Sequence, residues 1–322
     1  MRKILTVQTS ISKNKNTKKI LIIMNGSAGK GHNIPPLVCK ILRIPQKENI
    51  SLDDVHERIE NAFKKSNMQP QIIRTEYAKH ATELTKEAVE AGYKTVVAVG
   101  GDGTINEVVN GLVNTKTKLG IIPRGTANLL AKEMDIPTKL EKACDVIIKN
   151  HATTIDTAKV NDHYFTIMAG IGFDAHVVQK VDGSNVKSKW GAIAYPLIAI
   201  RELIRYPFRK IQVKLENGKR HVAFYVFVQN AKIYASGFKM TPSSKKDDGT
   251  LEILMFPTKN ILSLIIYLLS WDKFKYQKEI TGVKSLIIES NHSIQIDGDF
   301  LCDGPAEIKI VPMSLSILTP NT

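Results

Sequence analysis

The chain has 322 residues, 43% of them hydrophobic and 24% charged, which is the composition of a soluble globular protein with room for two ordinary domains. Its formal net charge of +14 predicts anionic partners, such as nucleotides or an anionic membrane surface. No RNA-binding or helix-turn-helix signature accompanies the charge, so nucleic acid is not expected as a partner. Three well-separated cysteines without metal-like spacing favour a reduced, cytoplasmic setting.

The amino-terminal stretch is polar and basic over residues 1–18, which predicts a mobile tail without the apolar core of a secretory signal. A strand is predicted at Ile20–Met24, and the small, glycine-rich loop Asn25–Gly31 follows it. Such a loop after the first strand of an α/β unit is a candidate phosphate loop. It lacks the GxxxxGK[ST] pattern of P-loop NTPases, and a flexible turn would have the same composition.

The stretch Thr95–Gly111, TVVAVGGDGTINEVVNG, organises the chain. The β-branched apolar run Thr95–Val99 predicts a buried strand, which stops at the glycine turn Gly100–Gly103. Helical spacing of apolar residues begins after this turn. Thr104 followed by Glu107 predicts a capping box at the start of that helix. Backbone N–H groups at a helix start attract anions, and Asp102 in the turn could hold Mg²⁺ or accept a proton. The alternative is a tight turn that Asp102 merely caps.

Strands and helices alternate along the first half of the chain, which predicts a parallel sheet covered on both faces. The predicted elements are helix Asp53–Phe63, strand Pro70–Arg74, helix Ala78–Ala91, strand Thr95–Val99, the helix after the glycine turn, strand Leu119–Ile122 and a helix from Leu129. Ligands bind outside the carboxyl ends of such strands. Four loops rich in Gly, Ser, Thr and Asn leave those ends, so a binding site is predicted there.

The pattern changes near residue 151, where strands follow one another with short turns, which predicts an antiparallel sheet or sandwich. The predicted strands are Ile155–Val160, Tyr164–Ala169, Ile211–Leu215, Val222–Val228, Leu251–Phe256, Ser285–Glu289 and Ser293–Ile296, with a hairpin signal at Asn217-Gly218. Helical inserts are predicted at about Lys189–Arg205 and at Ile261–Trp271. The second is the longest apolar run and is too short to span a bilayer.

Six motifs follow one another along residues 19 to 318: NGSAGKG, GGDGTINEVVNGL, LGIIPRGTANLLAKEMDIP, GIGFDAHVV, DDGTLEILMF and IDGD. In this order they resemble the motifs of the lipid kinases that include diacylglycerol and sphingosine kinases, especially bacterial members. Three residues depart from the family pattern. Gly26 replaces a proline, Leu129 stands where many members have Asp, and Asp299 stands where Glu is usual.

The resemblance implies an α/β class, with a parallel-sheet nucleotide-binding domain over residues 19–150 and an antiparallel β-sandwich domain over 151–311. The active site is expected in the cleft between them, and the segment 312–322 is expected to return to the first domain. The implied reaction transfers the γ-phosphate of ATP, with Mg²⁺, to a lipid hydroxyl such as that of diacylglycerol.

The resemblance also implies roles for individual residues. Asp297 and Asp299 are expected near the acceptor and Asp102 near the nucleotide and metal, although IDGD alone would be a β-turn. Asp248 and the backbone near Leu251 resemble a second metal site, and DDGT alone would be a turn. The candidate nucleotide contacts are Asn25, Ser27, Gly29, Thr75, Gly100, Gly101, Gly103, Thr104, Glu107, Gly125, Thr126 and Asn128.

Two other functions stay open at this point: a kinase of a soluble acceptor, as NAD kinases are, and a lipid- or nucleotide-binding protein with weakened catalysis. A lipid substrate requires a peripheral position on an anionic membrane, and a homodimer is left open. The predicted membrane contact consists of the basic residues Arg201, Arg205, Arg209 and Lys210. The alternative is a solvated helix end whose charges only aid solubility. The interleaved Tyr206, Pro207 and Phe208 are expected to enter the headgroup layer.

Overall fold

The fold is described from a computed structural model, in which the described residues are 20–26, 50–182, 194–203, 205–234, 238–241, 243–259 and 278–321. The helices in this part of the chain are α1 Leu52–Lys64, α2 His80–Glu90, α3 Asp102–Leu112, α4 Leu129–Glu133, α5 Leu140–Lys149, α6 Phe173–Asp182 and α7 Ala194–Leu203. None of them is long and apolar enough to cross a membrane.

The strands in the same residues are β1 Ile20–Asn25, β2 Gln71–Thr75, β3 Thr95–Gly100, β4 Lys118–Pro123, β5 Ala152–Val160, β6 His163–Phe165, β7 Met168–Gly172, β8 Ile211–Leu215, β9 Arg220–Ala223, β10 Tyr225–Gln229, β11 Ile233–Tyr234, β12 Phe238–Lys239, β13 Leu251–Phe256, β14 Lys278–Val283, β15 Ser285–Ile288, β16 Ser293–Ile296, β17 Asp299–Asp303 and β18 Ala306–Leu318. The chain forms two compact units. Among the described residues, the first comprises 20–26, 50–155 and 314–321, and the second comprises 156–313.

The first unit contains a parallel sheet in the order β2-β1-β3-β4, and the end of β18 joins it beside β4 through the pair Ile317 and Leu119. Every residue of β3 is buried, as expected for a strand covered on both faces. Because all four long strands run in the same direction, their carboxyl ends meet at one edge. The predicted parallel sheet is confirmed.

Helix α1 shows why the flanking helices form where they do. Ser51 caps it and makes a reciprocal capping box with Asp54, and Val55, Ile59 and Phe63 bury one face at helical spacing. These three residues belong to the apolar cluster that also contains Leu140 and Ile147 of α5. Arg58 then donates to Glu141 on α5 at 2.8 Å, so α1 and α5 cover one face of the sheet together.

The second unit is a β-sandwich. One sheet has the antiparallel order β14-β13-β10-β7-β16-β17, and the other includes antiparallel pairs of β15 with β18 and with β8, and of β8 with β9. A single apolar cluster draws on both sheets, with Val226 and Ile253 from the first and Leu286 and Ile308 from the second. The predicted fold class, a parallel α/β domain followed by an antiparallel sandwich, is confirmed.

Two predicted strands are in fact broken. Tyr164–Ala169 divides into β6 and β7, because the backbone N–H groups of Thr166 and Ile167 donate to Asp297. Val222–Val228 divides at Phe224 into β9 and β10, which belong to different sheets. The Asn217-Gly218 hairpin joins β8 to β9 as predicted, with Gly218 at a φ of +80°.

Some predicted features lie outside the described residues. They are the tail 1–18, the loop residues Ser27 and Gly29, the start of the helix predicted from Lys189, and the helix Ile261–Trp271. Helices α5 and α6, strands β11, β12, β14 and β17, and the part of β18 before residue 312 were not predicted.

Candidate functional site

The glycine turn lies at the carboxyl edge of the first unit's sheet. Strand β3 ends at Gly100, and α3 begins at Asp102 with Gly101 as its N-cap and no side-chain cap. The predicted capping box is therefore wrong, since Thr104 and Glu107 both lie inside the helix. The Thr104 side chain instead lies over Gly100. A Cβ atom added to Gly100 would be 2.5 Å from Thr104 Oγ1, so the position has room only for glycine. Thr104 Oγ1 also accepts a hydrogen bond from Asn25 Nδ2 at 2.9 Å, which joins the first loop to α3.

The glycine turn packs directly against the loop that follows β4. A Cβ atom on Gly101 would be 3.0 Å from the Cα of Gly125, and one on Gly125 would clash with Gly101. The backbone N–H of Arg124 donates to Gly100 O at 2.7 Å. The two loops therefore contact each other through backbone, which requires glycine at both positions.

The carboxylate of Asp102 holds the second loop in place. One oxygen accepts from the backbone N–H of Asn128 at 2.8 Å and the other from that of Leu129 at 2.5 Å, so Asp102 caps α4 rather than its own helix. Asn128 adopts a φ of +49°, and its side chain closes the loop with two bonds to the backbone of Gly125, at 2.7 and 2.8 Å. Leu129 is buried and contributes its backbone N–H to Asp102.

Glu107 lies about one helical turn beyond Thr104 and fixes the start of helix α2 to α3. Its two carboxylate oxygens accept from the backbone N–H groups of Lys79 at 3.0 Å and Ala81 at 3.1 Å, at the start of α2. Thr75 ends β2 in register with Asn25 of β1, so both lie at the same edge. The structure thus gathers at one edge the predicted residues Asn25, Thr75, Gly100, Gly101, Gly103, Thr104, Gly125, Thr126 and Asn128.

The electrostatics of this edge suit an anion. The amino terminus of α3 points its dipole there, and Lys132 on α4 lies within the field of Asp102. Burial lowers the pKa of Lys132, and the charge of Asp102 opposes that shift. Glycines that allow close backbone approach, a helix start and a carboxylate are the components of a phosphate and Mg²⁺ site.

The IDGD motif lies in the second unit and is a hairpin turn. Asp297 and Gly298 have φ values of +49° and +92°, as a two-residue type I′ turn requires, and they join β16 to β17. The β-turn that this motif would form on its own is therefore present, while the roles expected of Asp297 and Asp299 stay predictions. Asp299 opens β17 opposite Ile296 and is half-buried.

The carboxylate of Asp297 is buried and accepts four hydrogen bonds from one neighbouring segment. The donors are the backbone N–H groups of Thr166 (2.8 Å), Ile167 (2.9 Å) and Met168 (3.0 Å) and the Thr166 hydroxyl (3.0 Å). Burial raises the pKa of Asp297, and these bonds oppose the rise. Asp297 therefore fixes the hairpin to the segment between β6 and β7.

Helix α6 packs against the same hairpin through residues that had no predicted role. Asp174 Oδ2 accepts from Gln295 Nε2 at 2.8 Å, and Gln295 Oε1 accepts from the backbone N–H of Gly298 at 2.8 Å. Asp182 accepts from the backbone N–H of Phe300 at 3.3 Å. Asp174 lies in the GIGFDAHVV motif, so the sequence marks this segment, but the motif does not indicate the partner Gln295.

The DDGT segment also forms a turn. Asp248 Oδ1 accepts from the backbone N–H and the hydroxyl of Thr250, at 3.1 and 2.9 Å, and the side chain of Leu251 is buried in β13. Asp156, which the sequence did not single out, is fully buried and accepts from the backbone N–H groups of Gly249 at 2.6 Å and Met313 at 2.7 Å.

An open cavity of about 460 Å³ adjoins this turn and is lined by Asp248, Gly249, Lys284, Ser285, Lys309, Ile310 and Pro312. Within the described residues, no group of three His, Cys, Asp or Glu side chains is arranged to hold a metal ion. A cation at Asp248 would therefore take backbone and water oxygens as its remaining ligands.

Comparisons with known proteins agree with this architecture. A model of the diacylglycerol kinase catalytic domain matches residues 45–160, and a model described as a YegS C-terminal NAD kinase beta sandwich-like domain matches residues 167–319. A crystal structure of a diacylglycerol kinase from Bacillus anthracis has a TM-score of 0.73 at 24% identity, over 95% of this chain and 98% of that one, and shows the shared fold.

Sequence relatives establish the family. A diacylglycerol kinase from Staphylococcus epidermidis is 30% identical over 268 residues, which cover 80% of this chain and 84% of the relative. One from Staphylococcus haemolyticus is 30% identical over 280 residues, covering 84% and 83%. The chain belongs to the diacylglycerol kinase family. The resemblance and the kinase prediction are both confirmed.

Proposed function

We propose that the protein is an ATP- and Mg²⁺-dependent lipid kinase that transfers the γ-phosphate of ATP to the hydroxyl of diacylglycerol or a related lipid alcohol. The observation that carries the proposal is the contact between the glycine turn and the loop after β4, at the start of α3. Asp102 joins them, because its carboxylate accepts from the backbone N–H groups of Asn128 at 2.8 Å and Leu129 at 2.5 Å. Backbone N–H groups and one carboxylate therefore lie together at the carboxyl edge of the parallel sheet. Phosphoryl transfer needs such positioning and charge neutralisation more than it needs covalent chemistry.

Mg²⁺ fits the residues present at this edge. It prefers oxygen ligands and keeps several waters, so a half-buried carboxylate such as Asp102 would hold it through few direct bonds. When bound, Mg²⁺ would neutralise charge on the β- and γ-phosphates. The backbone N–H groups of Gly103 and Thr104, in the first turn of α3, would meet the phosphate oxygens, while the loop containing Thr126 would meet the opposite side of the nucleotide.

The acceptor hydroxyl must lose its proton as the new P–O bond forms, and a carboxylate within hydrogen-bond reach is the natural base. Asp297 is a poor candidate because four donors from residues 166–168 surround it. Asp299, two residues later and half-buried, is the better one. We therefore assign the base to Asp299 and the support of the turn to Asp297.

The test is a panel with radiolabelled ATP and Mg²⁺ against diacylglycerol, monoacylglycerol, ceramide, sphingosine, phosphatidylglycerol and NAD. Phosphatidic acid from diacylglycerol is the expected product.

A second candidate, a kinase of a soluble acceptor, is favoured by the match of residues 167–319 to an NAD kinase-like sandwich model. Label in NADP with none in any lipid would establish that candidate and overturn ours. ATP binding without turnover of any acceptor would indicate a binding protein.

The lipid acceptor further requires the enzyme to work at a membrane surface. Arg201, Arg205, Arg209 and Lys210 are exposed in the second unit, although Arg201 also pairs with Glu202 at 2.9 Å. The rings of Tyr206 and Phe208 pack on Phe173, with centroids 5.3 and 5.4 Å away, so they serve internal packing. The proposed membrane contact is therefore electrostatic, at about 1 kcal/mol per basic residue, and falls with salt.

Co-sedimentation with anionic and neutral vesicles tests this contact. Binding should need the anionic lipid and weaken at high salt and when Arg201, Arg205 and Arg209 are changed to Gln. Equal binding to neutral vesicles would remove the patch from the proposal.

A further inference from the structure

One aromatic side chain stands out on the surface of the first unit. Tyr77 is 56% exposed and is the single aromatic residue among the large exposed apolar side chains of the described residues. It lies two residues beyond Thr75, where β2 ends at the carboxyl edge of the sheet. Tyr77 places an exposed aromatic ring at the edge where ligands bind, whereas the large rings of the described part of the sandwich pack together.

The Tyr77 ring is held rigidly. It stacks on the imidazole of His80 with centroids 4.3 Å apart and an interplanar angle of 6°. Its hydroxyl donates to Glu83 Oε2 at 2.6 Å, and His80 Nδ1 accepts from the backbone N–H of Glu76 at 3.1 Å. Since His80 covers one face of the ring, the exposed area lies on the other face and at the edge. A ring fixed in this way presents a flat surface at little entropic cost.

The same ring is tied to the glycine turn. Glu107 of α3 accepts from the backbone N–H groups of Lys79 and Ala81, which flank His80, and its carbonyl accepts from the Thr82 hydroxyl at 2.8 Å. The start of α2 is therefore fixed to the helix that begins at the glycine turn. Strand β2 lies two positions from β3 in the sheet, so their ends are about 10 Å apart across this edge at the usual strand spacing. This separation suits a nucleotide whose phosphates lie at the turn and whose base lies beyond β2.

We infer that the Tyr77–His80 stack is the platform on which the base of the nucleoside triphosphate lies. The inference deepens the proposed function and rests on it, because it assumes that the phosphates bind at the glycine turn. Base–aromatic stacking is strong and tolerant of sequence, since every base has a π-face. The platform should therefore supply affinity for the base without selecting adenine over guanine.

The experiment compares the wild-type protein with Tyr77→Leu, Tyr77→Phe and His80→Ala in calorimetric titrations with ATP, GTP and tripolyphosphate in the presence of Mg²⁺. Tyr77→Leu should weaken ATP and GTP binding by roughly 10- to 100-fold, the range for loss of one stacked base, and leave tripolyphosphate binding unchanged. Tyr77→Phe keeps the π-face and should keep the affinity. His80→Ala removes the support and should give an intermediate loss. In kinetics, Tyr77→Leu should raise KM for ATP with kcat unchanged, because the base is remote from the reacting atoms.

A spectroscopic readout separates stacking from a structural effect. The fluorescence of 2-aminopurine riboside triphosphate, which stacking quenches, should fall on binding to the wild type and to Tyr77→Phe and should not fall with Tyr77→Leu. Unchanged ATP affinity in Tyr77→Leu, or an equal loss of ATP and tripolyphosphate affinity, would overturn the platform and leave the kinase proposal standing. A wild-type protein that binds neither ATP nor tripolyphosphate would overturn both.

Discussion

Two aspartates that precede glycines, Asp102 in the first unit and Asp297 in the second, have different surroundings. Both carboxylates accept backbone N–H groups from a distant loop, so each fixes a neighbouring segment. Asp102 is half-buried, at an edge built from glycine and small polar residues. Asp297 is buried and surrounded by four donors. An Asp-Gly pair in a family motif is therefore not in itself evidence of a chemical role. The number of internal donors and the exposure decide whether the carboxylate can meet a ligand.

The largest effect is expected from Asp102→Asn. The change removes the charge near the phosphates and replaces one acceptor by an NH₂ group that faces a backbone donor. We expect kcat to fall by roughly 10³-fold or more, as with other charge-neutralising groups in phosphoryl transfer. Steady-state assays at saturating ATP and Mg²⁺ measure it. The matched control is Asp145→Asn on the exposed side of α5, which should leave kcat unchanged. Near-normal turnover in Asp102→Asn would show that Asp102 only caps α4 and has no part in phosphoryl transfer.

The second prediction separates the two acids of the hairpin. Asp299→Ala should lower kcat by roughly 10²–10⁴-fold with little change in thermal stability, and Asp299→Glu should keep or raise kcat. Asp297→Ala leaves buried donors without their acceptor and should destabilise the fold by roughly 3–5 kcal/mol. Thermal unfolding and kcat are measured on each variant, with exposed Asp303→Asn on β17 as control. A loss of kcat below about threefold in Asp299→Ala would exclude it as the general base, which contributes far more.

The parallel sheet could be predicted from the sequence because its strands are buried on both faces and so are continuous apolar runs. Strands β14 and β17 could not, since their residues are mostly exposed or half-buried and show no apolar alternation. Helix α5 did carry a signal, with Leu140, Ala143 and Ile147 at helical spacing, but Lys139 at its N-cap makes no side-chain cap. Its start is therefore unmarked by a capping residue.

The candidate site divides in the same way. Motif spacing predicted which residues lie at the sheet edge, because parallel strands bring their carboxyl ends together. The hydrogen-bond partners were not predictable, since Asp102 and Leu129 are 27 residues apart and Asp297 and Thr166 are 131 apart. Local sequence patterns carry no information about such distant pairs, so the spacing of Thr104 and Glu107 predicts a cap on their own helix. Glu107 caps α2 instead.

A smaller effect is expected where the two loops of the first unit touch. Gly125→Ala places a methyl group against Gly101, and such overpacking costs about 1–3 kcal/mol in stability. ATP affinity should fall as well, because the loops must separate. The control is Gly92→Ala. The added methyl group meets open space there, but alanine is strained at the backbone φ of +76°. That variant should cost about 1–2 kcal/mol and leave ATP affinity unchanged. Loss of ATP affinity in both variants would show that general destabilisation, not the loop contact, is responsible.

The smallest effect is expected for Glu107→Gln, which tests whether the second acidic residue of the GGDGTINEVVNGL motif behaves like Asp102 or like Asp297. Both oxygens of Glu107 accept backbone N–H groups at the start of α2, and Gln retains one acceptor. Loss of such a cap costs about 1 kcal/mol, so the midpoint of thermal unfolding should fall by a few degrees. We expect kcat to stay near the wild-type value, because the carboxylate is occupied in holding α2. Glu87→Gln, on the exposed face of α2, is the matched control and should change neither quantity. A fall in kcat as large as that of Asp102→Asn, with stability unchanged, would place Glu107 in the nucleotide chemistry and contradict this structural role.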